Sequence, residues 1–232
     1  MNRRLARLLS CTGWLGAQLN GPPAEISTDH DVVLWVLSNL FDLDVAASAS
    51  VGRHLSRMVM TLPDGVEPSP NAGIAALSLA NELMRLDRAT CWLDALSLHG
   101  GAWTRQEALV QSVVALHGGY ENPLRLLMDL REHYPGHFES VYDRRTARLL
   151  VLECLANNPP VGRVLRWAAR DLPELDLALD EPIWLGLSGP DRALRFGWGP
   201  HRCPGASAAI EMGVAWCQVR TRNDRATSRE VH

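Results

Sequence analysis

The residues with the clearest chemistry lie in one decapeptide, Phe196 to Gly205, reading FGWGPHRCPG. A cysteine ligates a metal only as its thiolate. A thiolate held close to a flat, bulky group needs backbone N–H donors aimed at sulphur and little side-chain bulk around it. Gly197, Gly199 and Gly205 supply that freedom around Cys203. Pro204 suits the first turn of a helix predicted over Pro204 to Val219. Cys203 therefore precedes a helix N-terminus, whose unpaired amides and dipole are expected to lower its pKa. The position is chemically apt for a thiolate metal ligand. The plain alternative is a glycine-rich turn around a small buried cysteine.

A second group lies in the longest predicted helix, which Thr104 and Glu107 open as a capping box and whose apolar positions run to about Glu132. Gly118 and Gly119 weaken this helix, and Pro123 cannot donate to the carbonyl of Gly119, so a kink is expected where a ligand could approach. Glu121 is an acid in the same turn, and Asn122 can orient a water but is not a useful acid.

Other elements must position these groups. Apolar residues recur at helical spacing in Leu5 to Leu19, Val32 to Phe41, Val51 to Leu62 and Ile74 to Leu86, separated by GPP, AASAS and PDGVEPSPN. A further helix, Arg144 to Ala156, is stopped by Asn157-Asn158-Pro159-Pro160. Val164 to Ala169 and Ile183 to Leu187 read as short strands. The expectation is one mainly α domain with a small β portion over residues 1–219, then a polar, frayed tail over 220–232.

Composition narrows the function. The formal charge of -3, with no basic block outside the mixed stretch Arg220 to Arg229, excludes an electrostatic footprint for nucleic acid. The cysteines, an odd count of 5 and widely spaced, form no CxxC pair and suit a reducing, cytoplasmic protein. No window approaches the roughly 18 apolar residues of a membrane span, and the basic, apolar start is read as an amphipathic helix.

The decapeptide resembles the cysteine signature of the cytochrome P450 family, matching its Phe, three Gly, the His two before the cysteine, and the cysteine itself. The resemblance implies haem b, with Cys203 as iron ligand, His201 on a propionate and Phe196 beside the sulphur. It likens Gly118 to Asn122 to the helix element over the haem, with Glu121 as the proton-relay acid and Asn122 in place of a hydroxyl residue. It likens RVLRWAARD, from Arg163, to the strand that sends an arginine to a propionate, with Arg166 the better candidate and Arg163 the second.

The departures are equally specific. The family's Glu-x-x-Arg pair is met by Glu153 with Ala156 in place of the arginine, so Glu153 is expected to be exposed or to find another cation. Glu82 and Arg85 have the literal spacing but precede the glycine-bearing helix, and read as an ordinary i, i+3 surface pair. Few residues lie between Leu187 and Phe196, where the family inserts a meander, and the N-terminal helices of the family have no counterpart. The implied fold is thus a partial P450-like fold lacking the N-terminal helices and the meander.

The function so implied is a haem-thiolate monooxygenase oxidising a small organic substrate with dioxygen and electrons from a ferredoxin-type donor. Its open haem face would be covered by a protein partner or by self-association. The donor is expected to dock near Arg192, Arg195 and Arg202. The alternative is an inactive homologue acting as an auxiliary docking protein, or a gene remnant, marked by a large exposed apolar patch. Asp29-His30-Asp31 is read as helix capping rather than a metal site, and the scattered tryptophans, including Trp167 and Trp184, as core packing.

Overall fold

The structure, a computed structural model, describes residues 25–41, 43–61, 70–90, 104–135, 143–187, 194–197, 199, 202–203 and 205–230. The helix expected over Leu5 to Leu19 lies outside them, as do His201 and Pro204.

The first described helix, α1, spans Asp29–Phe41. Its start is a reciprocal cap: Asp31 N–H donates to Thr28 Oγ1 and Thr28 N–H to Asp31 Oδ2, both at 3.1 Å. Asp31 thus caps, as expected, whereas Asp29 makes tertiary bonds. It accepts from Trp216 Nε1 at 2.7 Å and from Arg131 Nη1 at 3.1 Å. Helix α2 spans Val45–Thr61, and Asp44 Oδ1 accepts its Ala47 N–H at 2.7 Å. The AASAS run, expected to separate helices, forms the first turns of α2, because alanine has the highest helix propensity and Asp44 supplies the cap. Helix α3 spans Pro70–Thr90.

Helix α4, Arg105–His133, opens on the capping box of Thr104 and Glu107 and carries the candidate residues of its middle turns without interruption. Pro123 lies inside it, buried. Helix α5, Arg144–Asn157, is capped by Asp143 and ends where Asn158 N–H donates to Cys154 O. Strands β1, Arg163–Trp167, and β2, Pro182–Gly186, pair antiparallel with Leu165 opposite Trp184 and Arg166 opposite Ile183. A 3-10 turn at Leu194–Phe196 leads into the cysteine loop, and α6 spans Ala206–Glu230. This last helix runs through most of the segment expected to fray.

The apolar stripes of α1, α4, α5 and α6 meet in one core that includes Leu37, Leu116, Leu127, Val151, Met212 and Trp216. Gly213 lets α6 approach α5: a Cβ there would lie 2.8 and 3.0 Å from the two methyls of Val151. Buried Glu211 adds an ionic clamp between the same helices, accepting from Arg148 Nη1 at 2.9 Å and from Arg144. Tyr120, fully buried on α4, bonds Ser56 of α2 at 2.8 Å and His30 of α1, tying three helices through one hydroxyl. No helix among the described residues is long and apolar enough to cross a membrane.

Candidate functional site

The core helices, the hairpin and the cysteine loop enclose a cavity of about 350 Å³. Helix α4 contributes Gln111, Val114, Ala115, Gly118, Gly119, Asn122, Pro123 and Leu126, successive turns of one face. The cysteine loop contributes Phe196, Gly197, Cys203 and Gly205, and β1 contributes Val164 and Arg166. The wall is mostly aliphatic, with Gln111, Asn122, Arg166 and Arg195 as polar exceptions. A largely apolar cleft with a few polar groups is what small-molecule and cofactor sites look like.

The loop is closed by a short hydrogen bond from Cys203 N–H to Phe196 O, 2.6 Å. Between its ends Gly197 and Gly199 take φ values of 75° and 61°, which side-chain-bearing residues rarely adopt. At Gly205 a Cβ would stand 3.8 Å from Cys203 Sγ, so glycine keeps the space beside the sulphur open.

The expected acidification of Cys203 is not found. The residue is exposed as a whole, yet the cavity wall hems in the sulphur, and this burial raises the thiol pKa above its ordinary value. The Gly205 N–H and the Arg202 charge pull it down, but by less. Helix α6 starts at Ala206, so Cys203 lies outside its first turn, and the apolar wall outweighs the amides. Cys154 and Cys217, buried in the core, are both pushed up to about 12.

The sequence-derived candidates separate into those that reach the cavity and those that do not. Cys203, Phe196, Gly197, Gly205, Gly118, Gly119, Asn122 and Arg166 line it together. Glu121 does not. Its carboxylate accepts from Arg125 Nη2 at 2.9 Å and stands 3.3 Å from His117 Nε2, on the flank of α4 beside the cavity-facing row. Gly199 shapes the loop backbone without lining the cavity. Arg163 stacks over the Trp184 ring at 4.6 Å, so Arg166 is the strand's cavity-facing cation.

Other expectations fare differently. Glu153 is exposed, and Glu82 and Arg85 form the expected i, i+3 pair at 2.7 Å. Arg195 is not a surface docking residue: it is only 9% exposed, lines the cavity, and donates from Nη1 to Leu152 O at 2.8 Å. Trp216 is core, but Trp167 and Trp184 are 60% and 56% exposed, because among the described residues no further layer lies over that face of the two-stranded sheet. Sequence reading missed Arg195, Gln111 and Met212 as cavity residues; only the position of Arg195 beside Phe196 carried a signal.

The chain is similar over most of its length to solved cytochrome P450 structures. Ligand-free CYP164A2 of Mycobacterium smegmatis superposes with a TM-score of 0.65 at 21% identity, covering 95% of this chain and 68% of that one. CYP109B1 from Bacillus subtilis gives 0.63 at 18% identity, covering 93% and 71%. P450BioI, solved in complex with a hexadec-9Z-enoic acid-ligated acyl carrier protein, gives 0.60 at 15% identity, covering 92% and 66%. No family model and no curated protein sequence matches the chain. The fold is therefore that of the cytochromes P450, in part: the chain spans about two thirds of the length of such structures.

Proposed function

We propose that the cavity holds a haem whose iron is ligated by Cys203, and that the chain is a haem-thiolate oxidoreductase of small organic substrates. The observation that carries this reading is the convergence of the Cys203 thiol, the Gly118–Gly119 turn of α4 and the Arg166 cation on one apolar cavity, within a P450 fold. The residues suit such a group. The cavity volume falls within the range of about 300–1,000 Å³ usual for ligand sites, glycine at 205 leaves the sulphur accessible, and the wall is aliphatic.

Haem supplies one-electron and dioxygen chemistry, with thiolate donation favouring O–O cleavage. The chain's own residues would bind and orient. Cys203 supplies the sulphur ligand, Phe196 and Gly197 pack beside it, and Arg166, with His201 by resemblance, neutralises propionates. Asn122, facing the cavity, orients a water through its amide. Glu121, turned to Arg125 and His117, would pass a proton only after leaving that pairing. Electrons come from a ferredoxin-type donor, and exposed Arg202 offers it a positive contact near the cysteine.

A second reading, an auxiliary protein without chemistry of its own, draws on the exposed apolar hairpin, where Trp167, Trp184, Leu185, Leu175 and Leu179 face solvent. One experiment separates the two. Protein produced with haem supplied is reduced and exposed to carbon monoxide, as wild type and as Cys203→Ala. The first reading expects a red-shifted thiolate-type Soret band that the substitution removes. A wild-type protein that retains no haem leaves the auxiliary reading.

A further inference from the structure

We propose that Arg195 is a positioning residue that braces the cysteine loop against α5 and so sets how firmly the Cys203 sulphur is held. A guanidinium is costly to bury, and here it is only 9% exposed in a mostly aliphatic wall. Its head crosses from the loop to the helix and donates from Nη1 to Leu152 O at 2.8 Å. Charge-assisted hydrogen bonds of this kind are short and directional. The contact joins elements more than forty residues apart in sequence.

The mechanical path from that bond to the sulphur is short. Arg195 and Phe196 belong to the same 3-10 turn, and Phe196 O receives the Cys203 N–H at 2.6 Å. Phe196 itself is packed against the core. The backbone between them passes through Gly197 and Gly199, both at positive φ, and glycine there adds no stiffness of its own. Inside the loop Arg202 N–H donates to Gly199 O at 3.2 Å, and Arg195 adds an anchor from one end of the loop to α5. The last turn of α5 carries no basic residue of its own, so the cation of this link comes from the loop.

The test compares wild type with Arg195→Met, which keeps the length but no donor, and Arg195→Lys, which keeps a charged donor. The first readout needs no haem: the rate of iodoacetamide alkylation at Cys203, followed by mass spectrometry of its peptide well below the melting temperature. Cys154 and Cys217, buried and pushed up to about 12, serve as internal controls for global unfolding. Loss of the brace is expected to speed Cys203 alkylation by about tenfold in Arg195→Met, the scale of one charged hydrogen bond. Arg195→Lys should restore part of the difference, with both control cysteines unchanged.

The second readout rests on the haem-thiolate reading: the reduced, carbon-monoxide-bound band should lose thiolate character in Arg195→Met and recover it in Arg195→Lys. Should wild type bind no haem, that reading fails while the alkylation comparison still decides the brace. Cys203 alkylation at the wild-type rate in folded Arg195→Met overturns the proposal. So does a rise matched at Cys154 and Cys217, which would mark general destabilisation. If Arg195→Met does not fold, amide exchange at Cys203 and Gly205 in Arg195→Lys decides, faster exchange supporting the brace and unchanged exchange overturning it.

Discussion

The N–H of Cys203 lies 2.6 Å from the carbonyl oxygen of Phe196, and this bond closes the loop that presents the sulphur to the cavity. Six residues intervene, so the chain must reverse within a span too short for regular structure, and Gly197 and Gly199 make the reversal at positive φ. The geometry of the site is therefore set in the backbone of the loop.

Gly199→Ala isolates that backbone term. Among the described residues nothing beyond its chain neighbours lies within 4 Å of a Cβ at this position, so the expected cost is conformational. We expect a loss of about 1 kcal/mol in denaturant unfolding, the scale of placing an L-residue in the left-handed region, and a smaller loss for Gly199→Asn. An unchanged midpoint for Gly199→Ala would show that the loop relaxes.

Gly213→Ala tests packing instead. The new methyl would meet the stiff, buried Val151 side chain at 2.8 Å, and α5 and α6 would have to part. Overpacking of this kind costs about 1–3 kcal/mol. The double substitution Gly213→Ala with Val151→Ala is expected to cost less than the sum of the single ones, a coupling that a thermal double-mutant cycle reads directly.

Glu211→Gln removes the charge that Arg144 and Arg148 share while keeping the shape. Both arginines are partly exposed and can return to water, which moderates the loss to about 2 kcal/mol. The decrease should shrink as ionic strength rises, because screening already weakens the clamp in wild type.

Alkaline pH should destabilise the fold. Burial raises Cys154 and Cys217 from 9.0 to about 12, and raises the Tyr120 hydroxyl as well. For a group whose folded pKa is raised, the folded chain keeps a proton that the unfolded chain loses, so its stability contribution is complete below the unfolded pKa and disappears as pH climbs through the folded one. The urea midpoint is expected to fall steadily as pH rises above 9, where the unfolded thiols ionise. Cys217→Ala should flatten that fall while lowering the midpoint at neutral pH.

Much of the helical framework was legible because its signals are local. The Thr104–Glu107 box and the apolar period define α4, and the Asn-Asn-Pro-Pro stop follows the last turn of α5, since caps and prolines act within one turn. AASAS was misread because small residues suit a linker and a helix alike, and only Asp44 and the packing of α2 on its neighbours decide. Trp167 and Trp184 were misplaced because a strand's sequence does not tell whether a second layer covers its outer face.

The site divides along the same line. The sequence by itself determined that a cysteine stands in a loop of glycines ahead of a helix, because that arrangement is a contiguous pattern of backbone freedom and side-chain chemistry. Only the tertiary structure decided what surrounds it. Long-range packing turned Asn122 and Arg166 into the cavity and left Glu121 with Arg125, buried Arg195 against α5, and raised the Cys203 thiol that sequence position alone would have lowered. Desolvation and cross-chain hydrogen bonds depend on which segments meet, and segments far apart in sequence meet only in the folded chain.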